Sequence, residues 1–242
     1  MSSVDNNPYR TWGLTAADAP ATERATFIRQ TYLHLLIAVL AFIGLETALL
    51  NSPLAESMMS LLGNSGRMGW LVVMVAFVGV SWLANSWASS STSVGMQYLG
   101  LALYVVAQAV IFVPLLYIAS AYGPPDLIAT AAALTAIIFC GLTAIVFWTG
   151  ADFSFMRSAL SVISFGAIAV IVCSMIFGFE LGILFMGAMI IFASAYILYD
   201  TSNVLHHYRI GQHVAASLAL FASVALLFWY IVQLLMSLSS RD

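Results

Sequence analysis

Polar and apolar residues fall along this chain in long blocks rather than in short alternation. Residues 1–30 are polar and balanced in charge, with Asp5, Asp18 and Glu23 set against Arg10, Arg24 and Arg29. Pro8 and Pro20 oppose a long helix there. Seven apolar stretches follow, at about residues 31–50, 68–88, 95–120, 127–150, 158–178, 181–199 and 213–238. Each is near the roughly 20 residues that carry a helix across a hydrocarbon core of about 30 Å. Turn formers punctuate them: Asn51, Ser52 and Pro53; the Ser and Thr run at 89–93; Gly123, Pro124, Pro125 and Asp126; then Gly150, Ala151 and Asp152. Only Gly178, Phe179 and Glu180 lie between the fifth and sixth stretches, which predicts a tight hairpin.

In lipid a backbone must satisfy its own hydrogen bonds, so blocks this long predict helices. A membrane β-barrel would need polar and apolar residues to alternate over about ten positions, and runs such as 71–80 show no alternation. The first apolar run is too long, and begins too late, for a cleavable signal peptide. The pattern therefore predicts a polar, partly disordered tail at 1–26 and an all-α membrane domain of seven helices at 27–242.

Composition agrees. Charged residues make up 7% of the 242, hydrophobic residues 62%, and the mean hydropathy is +1.01. A soluble domain carries roughly 25% charged residues, so a water-soluble globular enzyme is excluded. The net charge is −3, with seven Arg and no Lys, which leaves no basic face for nucleic acid. Two cysteines make no disulfide framework; Cys140 and Cys173 fall mid-span and read as small apolar packers. Arginine placement sets the expected orientation. With the N-terminus inside, the inner segments hold Arg10, Arg24, Arg29, Arg157 and Arg209, and the outer ones only Arg67 and Arg241. The positive-inside rule then predicts N-in and C-out. With six spans, Arg157 and Arg209 would fall on opposite sides, which favours seven.

No loop exceeds about 18 residues, so function must reside in the bundle, its short loops or the tail. No HExxH, GxSxG or P-loop motif occurs, and one span-ending Asp is too few for an intramembrane aspartyl protease. The expectation is a non-enzyme without cofactor or metal. Pro114 predicts a kink in the third helix. Gly187, Ala188, Ala193, Ser194 and Ala195 suit the sixth to a central, closely packed position.

Intramembrane acids are expensive and are functional candidates by default. Glu46 lies roughly 22 Å beyond Thr31 along the first helix at 1.5 Å per residue, towards the outer surface, where a snorkelling or donor-paired carboxylate is the plainer reading. Asp200 closes the sixth run near the inner surface, among Thr201, Ser202, Asn203, His206 and His207. Asp200, Asn203 and His207 are spaced i, i+3 and i+7, on one helical face. Against the reading of a mere boundary marker, a carboxylate near a helix C-terminus is disfavoured by the macrodipole and needs a compensating donor, cation or proton. A carboxyl withdrawn from water holds its proton more tightly, the property a pH sensor needs. His34 reads as structural, beside Tyr32 and Arg29. The adjacent His206 and His207 point to different faces, so with His213 they make a poor metal site.

Several of these segments resemble the Bax inhibitor-1 family, and within it the bacterial YccA-like branch. They are 29–32 (RQTY), 152–155 (DFSF), 195–203 (AYILYDTSN) and the closing 240–242 (SRD). The resemblance runs from about residue 24 to the end. It implies a seven-helix bundle with one central helix near the C-terminus, a stress or membrane-homeostasis role, and residence in the bacterial inner membrane. Some members are pH-sensitive calcium leaks with an acidic pair on the sixth and seventh helices. Asp200 matches the first acid. Ser223 stands where the second is expected, and Leu226 where the family has Asn. The YccA-like branch is similar in carrying Ser there and in binding and restraining the membrane-anchored AAA protease FtsH. The resemblance thus implies two kinds of partner besides the bilayer, calcium or another cation and that protease. The candidate proton- and cation-sensing residues are Asp200, Ser223, Glu46, Asn203 and His207.

Overall fold

The computed structural model describes residues 13–90 and 93–240. Its seven α-helices are α1 (Ala21–Leu50), α2 (Pro53–Ala88), α3 (Val94–Tyr122), α4 (Leu127–Thr149), α5 (Arg157–Phe177), α6 (Ile183–His206) and α7 (His213–Ser239). Each is long and apolar enough to cross a membrane. No strand occurs among the described residues; a single bridge pairs Thr15 with Arg209. The protein is an all-α integral membrane bundle of seven helices.

The helices overrun the hydrophobic blocks because helical hydrogen bonding continues where polarity returns. α1 starts at Ala21, ten residues before its apolar run, and α6 continues through the polar 200–206 segment to His206. α2 departs most. Its 36 residues would span far more than a bilayer, but Gly66, at φ 56 and ψ −147, breaks it in two. Only glycine adopts that backbone without strain. The part beyond Gly66 is the predicted second span. The part before it, 53–65, occupies what the hydropathy pattern reads as a loop. Ser52 caps it by accepting the Leu54 N–H at 3.3 Å, with Pro53 in the first turn, a helix-start signature visible in the sequence.

α7 is central, packed by α1, α2, α3, α4 and α6, while α5 sits at the rim against α2 and α6. α3 and α7 are the two most buried helices. They meet α1 in an aromatic knot around the fully buried Phe112. Its ring centroid lies 5.1 Å from that of Phe42, 4.9 Å from Trp229 and 5.7 Å from the stacked Phe228. The small residues of α6 do not make it the central helix: Ala188 is exposed and Gly187 faces open space. Small residues bring α2 against α3 instead. Ala84 and Ala88 are buried one turn apart on α2, opposite Gly100 on α3. A Cβ on Gly100 would stand 2.5 Å from both the Ala84 carbonyl oxygen and the Ala88 nitrogen. Ala-x-x-x-Ala against Gly is the small-residue packing motif of membrane helices. Cys140 and Cys173 are exposed on the bundle's outer surface rather than packed inside it. α3 runs through Pro114 as one helix.

At the end where α1 begins, residues 13–20 lie on the α6–α7 connection. The Ala16 N–H donates to the Tyr208 carbonyl at 2.8 Å, the Ile210 N–H donates to the Leu14 carbonyl at 3.0 Å, and Ala16 is fully buried. The tail residues 1–12, with Arg10, and the C-terminal Arg241 and Asp242 lie outside the described residues.

The Gly100 contact yields a direct test. Because backbone rather than a mobile side-chain tip opposes the new atom, Gly100→Ala is expected to force α2 from α3 and cost about 1–3 kcal/mol. The melting temperature in detergent should fall, and Gly95→Ala, which meets nothing closer than 3.7 Å, should leave it nearly unchanged.

Candidate functional site

The last turns of α6 are polar in sequence yet buried in the fold. Asp200 is 7% exposed, and Thr201 and Ser202 are fully enclosed. α7 supplies the partner: Ser223, itself buried, donates its hydroxyl proton to Asp200 Oδ2. The Ala219 carbonyl, 3.2 Å from Ser223 Oγ, is a second acceptor for that proton. A hydroxyl carries one proton and two lone pairs, so the charge on Asp200 decides its direction. With Asp200 ionised, Ser223 donates to it in a charge-assisted bond. With Asp200 protonated, the carboxyl proton spans the gap and Ser223 is free to bond Ala219. The two helices stay in contact either way, but the neutral bond is about half as strong.

Two tyrosines lie near Asp200. Tyr104 of α3 and Tyr208 of the α6–α7 connection both lie within electrostatic reach of Asp200. The Tyr208 phenol is held well above its usual range, chiefly by burial, then by the Asp200 and Tyr199 charges. On the side towards α1 and α4, the hydroxyls of Tyr32, Thr143 and Thr201 are buried near one another without a hydrogen bond of good geometry.

The other sequence candidates go elsewhere. Asn203 turns the chain out of α6, its carbonyl accepting the N–H groups of His207 at 2.8 Å and Tyr208 at 2.9 Å. His207 points to the α4–α5 connection, where its Nε2 lies 3.2 and 3.1 Å from the two carboxylate oxygens of Asp152. Glu46 is buried on α1 towards the opposite end of the bundle, and neither of its carboxyl oxygens has a hydrogen-bond partner. It is neither snorkelling nor donor-paired. His34 bonds the Gln30 carbonyl through Nδ1 at 2.7 Å and the Tyr98 hydroxyl through Nε2 at 3.0 Å. That hydroxyl lies 3.5 Å from His213 Nε2, so the trio ties α1, α3 and α7. His206 meets the Gly150 carbonyl at 3.2 Å. His206 and His207 thus have separate partners while His34 and His213 share the Tyr98 hydroxyl, and among the described residues no group of three or more His, Cys, Asp or Glu is placed to hold a metal.

Asp152 is the residue sequence reasoning missed. It accepts the Ser154 N–H at 2.8 Å, and Ser202 bridges it to α6 by donating to Asp152 at 3.4 Å and accepting the Phe153 N–H at 2.8 Å. The D-x-S spacing at 152–154 is an Asx-turn signal and was the available clue. Together these bonds clamp the α4–α5 connection to α6 two residues beyond Asp200.

Seven membrane-crossing helices, with a buried carboxyl joining the sixth to the central seventh, define a polytopic membrane protein with a polar latch at one end. The chain belongs to the family described as inhibitor of apoptosis-promoting Bax1, whose model matches residues 24–240. An uncharacterized protein of Pseudomonas aeruginosa is 28% identical over 229 residues, 91% of this chain and 93% of its own length. Protein LIFEGUARD 3 of Arabidopsis thaliana is 30% identical over 118 residues, covering 43% of this chain and 44% of its own. An uncharacterized membrane protein of Vibrio cholerae is 31% identical over 124 residues, covering 49% and 53%. No solved structure matches.

The clamp has a calculable acid response. The Ser154 N–H, with His207 adding to it, lowers the Asp152 pKa from 3.8 to about 2. A depressed carboxyl stabilises the fold at every pH above its unfolded value and loses that contribution as pH falls through its folded value. The melting-temperature gap between wild type and Asp152→Asn is therefore expected to stay open above about pH 4 and to close towards pH 2. The gap should be small, because the side chain is 46% exposed and water screens it.

Proposed function

We propose that this chain is a non-enzymatic membrane-homeostasis protein of the bacterial inner membrane, with its N-terminus in the cytoplasm. The Asp200 and Ser223 contact acts in it as a proton-responsive latch on a weak cation leak. The observation that carries this reading is a buried carboxyl whose main partner is a hydroxyl on the central helix. Protonation weakens the bond between α6 and α7 without breaking it, so proton occupancy adjusts how firmly the two helices are held. The chemistry argues for a leak rather than a cation site. Calcium takes six to eight oxygens, and one carboxylate with one hydroxyl falls far short. Family membership and the arginine asymmetry support the location and the orientation.

A second reading, a modulator that binds and restrains a membrane-anchored AAA protease such as FtsH, is favoured by one observation. Residues 13–20 rest on the α6–α7 connection, so a partner gripping the tail would pull on the loop that follows the latch.

Flux separates the readings. Purified protein in liposomes loaded with a calcium dye is expected to show slow calcium entry that varies with pH, and Asp200→Asn is expected to abolish that variation. Calcium passage by Ser223→Asp with none by wild type would overturn the leak. Co-purification of the protease, lost on deleting residues 1–20, would then support the second reading.

A further inference from the structure

α1, α3 and α7 pack on one another pairwise, and near the end where α7 begins each sends one side chain to a common point. His34 Nε2 of α1 lies 3.0 Å from the Tyr98 hydroxyl oxygen of α3, and His213 Nε2 of α7 lies 3.5 Å from it. The two imidazole ring centres are 5.0 Å apart. Neither the latch nor the clamp uses this trio.

Hydrogen bonding alone does not account for the arrangement. A phenol carries one proton. His34 Nδ1 donates to the Gln30 carbonyl at 2.7 Å, so in the neutral ring Nε2 is an acceptor and takes the Tyr98 proton. His213 is left with a contact of 3.5 Å, beyond the about 2.7–3.2 Å of a good N–H···O bond. Its other ring nitrogen, Nδ1, is buried with no hydrogen-bond partner among the described residues. The His213 ring is thus held against the cluster without a good bond from either nitrogen.

The spacings are those of ligands around one ion. Atoms bonded at about 2.0–2.2 Å to a tetrahedral centre stand about 3.3–3.6 Å apart, and two imidazoles so bound have ring centres about 5 Å apart. A metal-bound imidazole characteristically donates its other N–H to a carbonyl or carboxylate, which fixes the ring; His34 already does so through Gln30. Two histidines alone make an incomplete site, and the third donor is the phenol oxygen, which becomes a charged ligand on losing its proton. Tyr98 is 41% exposed, which leaves a way in for the ion. The dipole at the α7 N-terminus opposes a cation beside His213, and the phenolate charge offsets it.

We infer that His34, Tyr98 and His213 form a binding site for one divalent transition-metal ion of the class that imidazole favours, zinc or copper. The ion bonds Nε2 of both histidines and the Tyr98 oxygen, whose proton passes to water. Bound there, it fastens the first turn of the central helix to α1 and α3. The site depends on neither the leak nor the protease reading.

Copper(II) chloride added to the untagged, full-length protein in detergent tests this, copper being the tightest binder of the class. Electron paramagnetic resonance is expected to show one copper per chain coupled to two imidazole nitrogens. A phenolate-to-copper absorption band should appear, with release of one proton. His34→Gln and His213→Gln should each weaken binding by at least the about 10–100-fold that losing an outer-shell partner costs. Tyr98→Phe should abolish the band and the proton release while keeping the two-nitrogen signal, and it carries the test if a histidine variant misfolds. The double variant His206→Gln, His207→Gln should change none of these readouts. A wild-type spectrum without two-nitrogen coupling, no phenolate band, or copper binding that survives both His34→Gln and His213→Gln would overturn the assignment.

Discussion

In a hydrocarbon solvent a carboxyl group cannot turn to water for its hydrogen bonds, and that constraint governs how α6 meets α7. Asp200 is placed where the apolar run of α6 ends, a position at which a soluble helix would leave it solvated. Here α6 continues for two more turns and buries it. Burial of that group costs less where a donor is delivered, and the central helix delivers Ser223, a donor that the buried Glu46 of α1 lacks. Among the described residues this bond is the side-chain hydrogen bond that joins α6 to α7, and it gives their otherwise apolar contact a fixed register. The remaining polar bonds at this end, from Ser202, Asp152 and His207, hold the loops around that contact rather than adding to it.

The same solvent argument explains how much could be read from the chain. A span of twenty apolar residues has one viable conformation in lipid, so seven blocks read as seven helices, and the observed helices contain nearly all of each block. The Asp200 segment stood out because charge inside an apolar run is rare. Hydropathy is blind where conformation is set by something other than water avoidance. The 53–65 helix rests on Ser52 and Pro53, and its separation from the second span rests on the positive φ of Gly66. Neither changes a hydropathy average.

Packing order was less legible still. Small residues mark close approach, but of those on α6 only Ala193 is fully buried, while α2 and α3 use theirs at an interface. Deciding between such faces needs the partner's geometry, which lies in a different part of the chain. Asp152 was hidden for the same reason: alone it is a loop carboxylate, and it becomes a clamp only when α6, fifty residues later, brings Ser202 and His207 to it. Glu46 shows the converse. Its sequence position suggested the surface, and the fold buries it without a partner.

Ser223 bears most directly on what kind of device the latch is. Two carboxylates at this position would repel when both are ionised and share a proton when one is not, so the helices would move apart or together over a narrow pH interval. A hydroxyl cannot repel. It offers a proton to an ionised Asp200 and a lone pair to a protonated one, and the Ala219 carbonyl takes up its proton in the second case. The pair therefore keeps contact in both states and differs only in bond strength. On the reading proposed above, such a latch would change the stiffness with which α6 is held to the central helix, not its position. This is the behaviour expected of a slow, graded leak, or of a helix pair whose compliance a bound partner reads, and not of a channel that opens and closes.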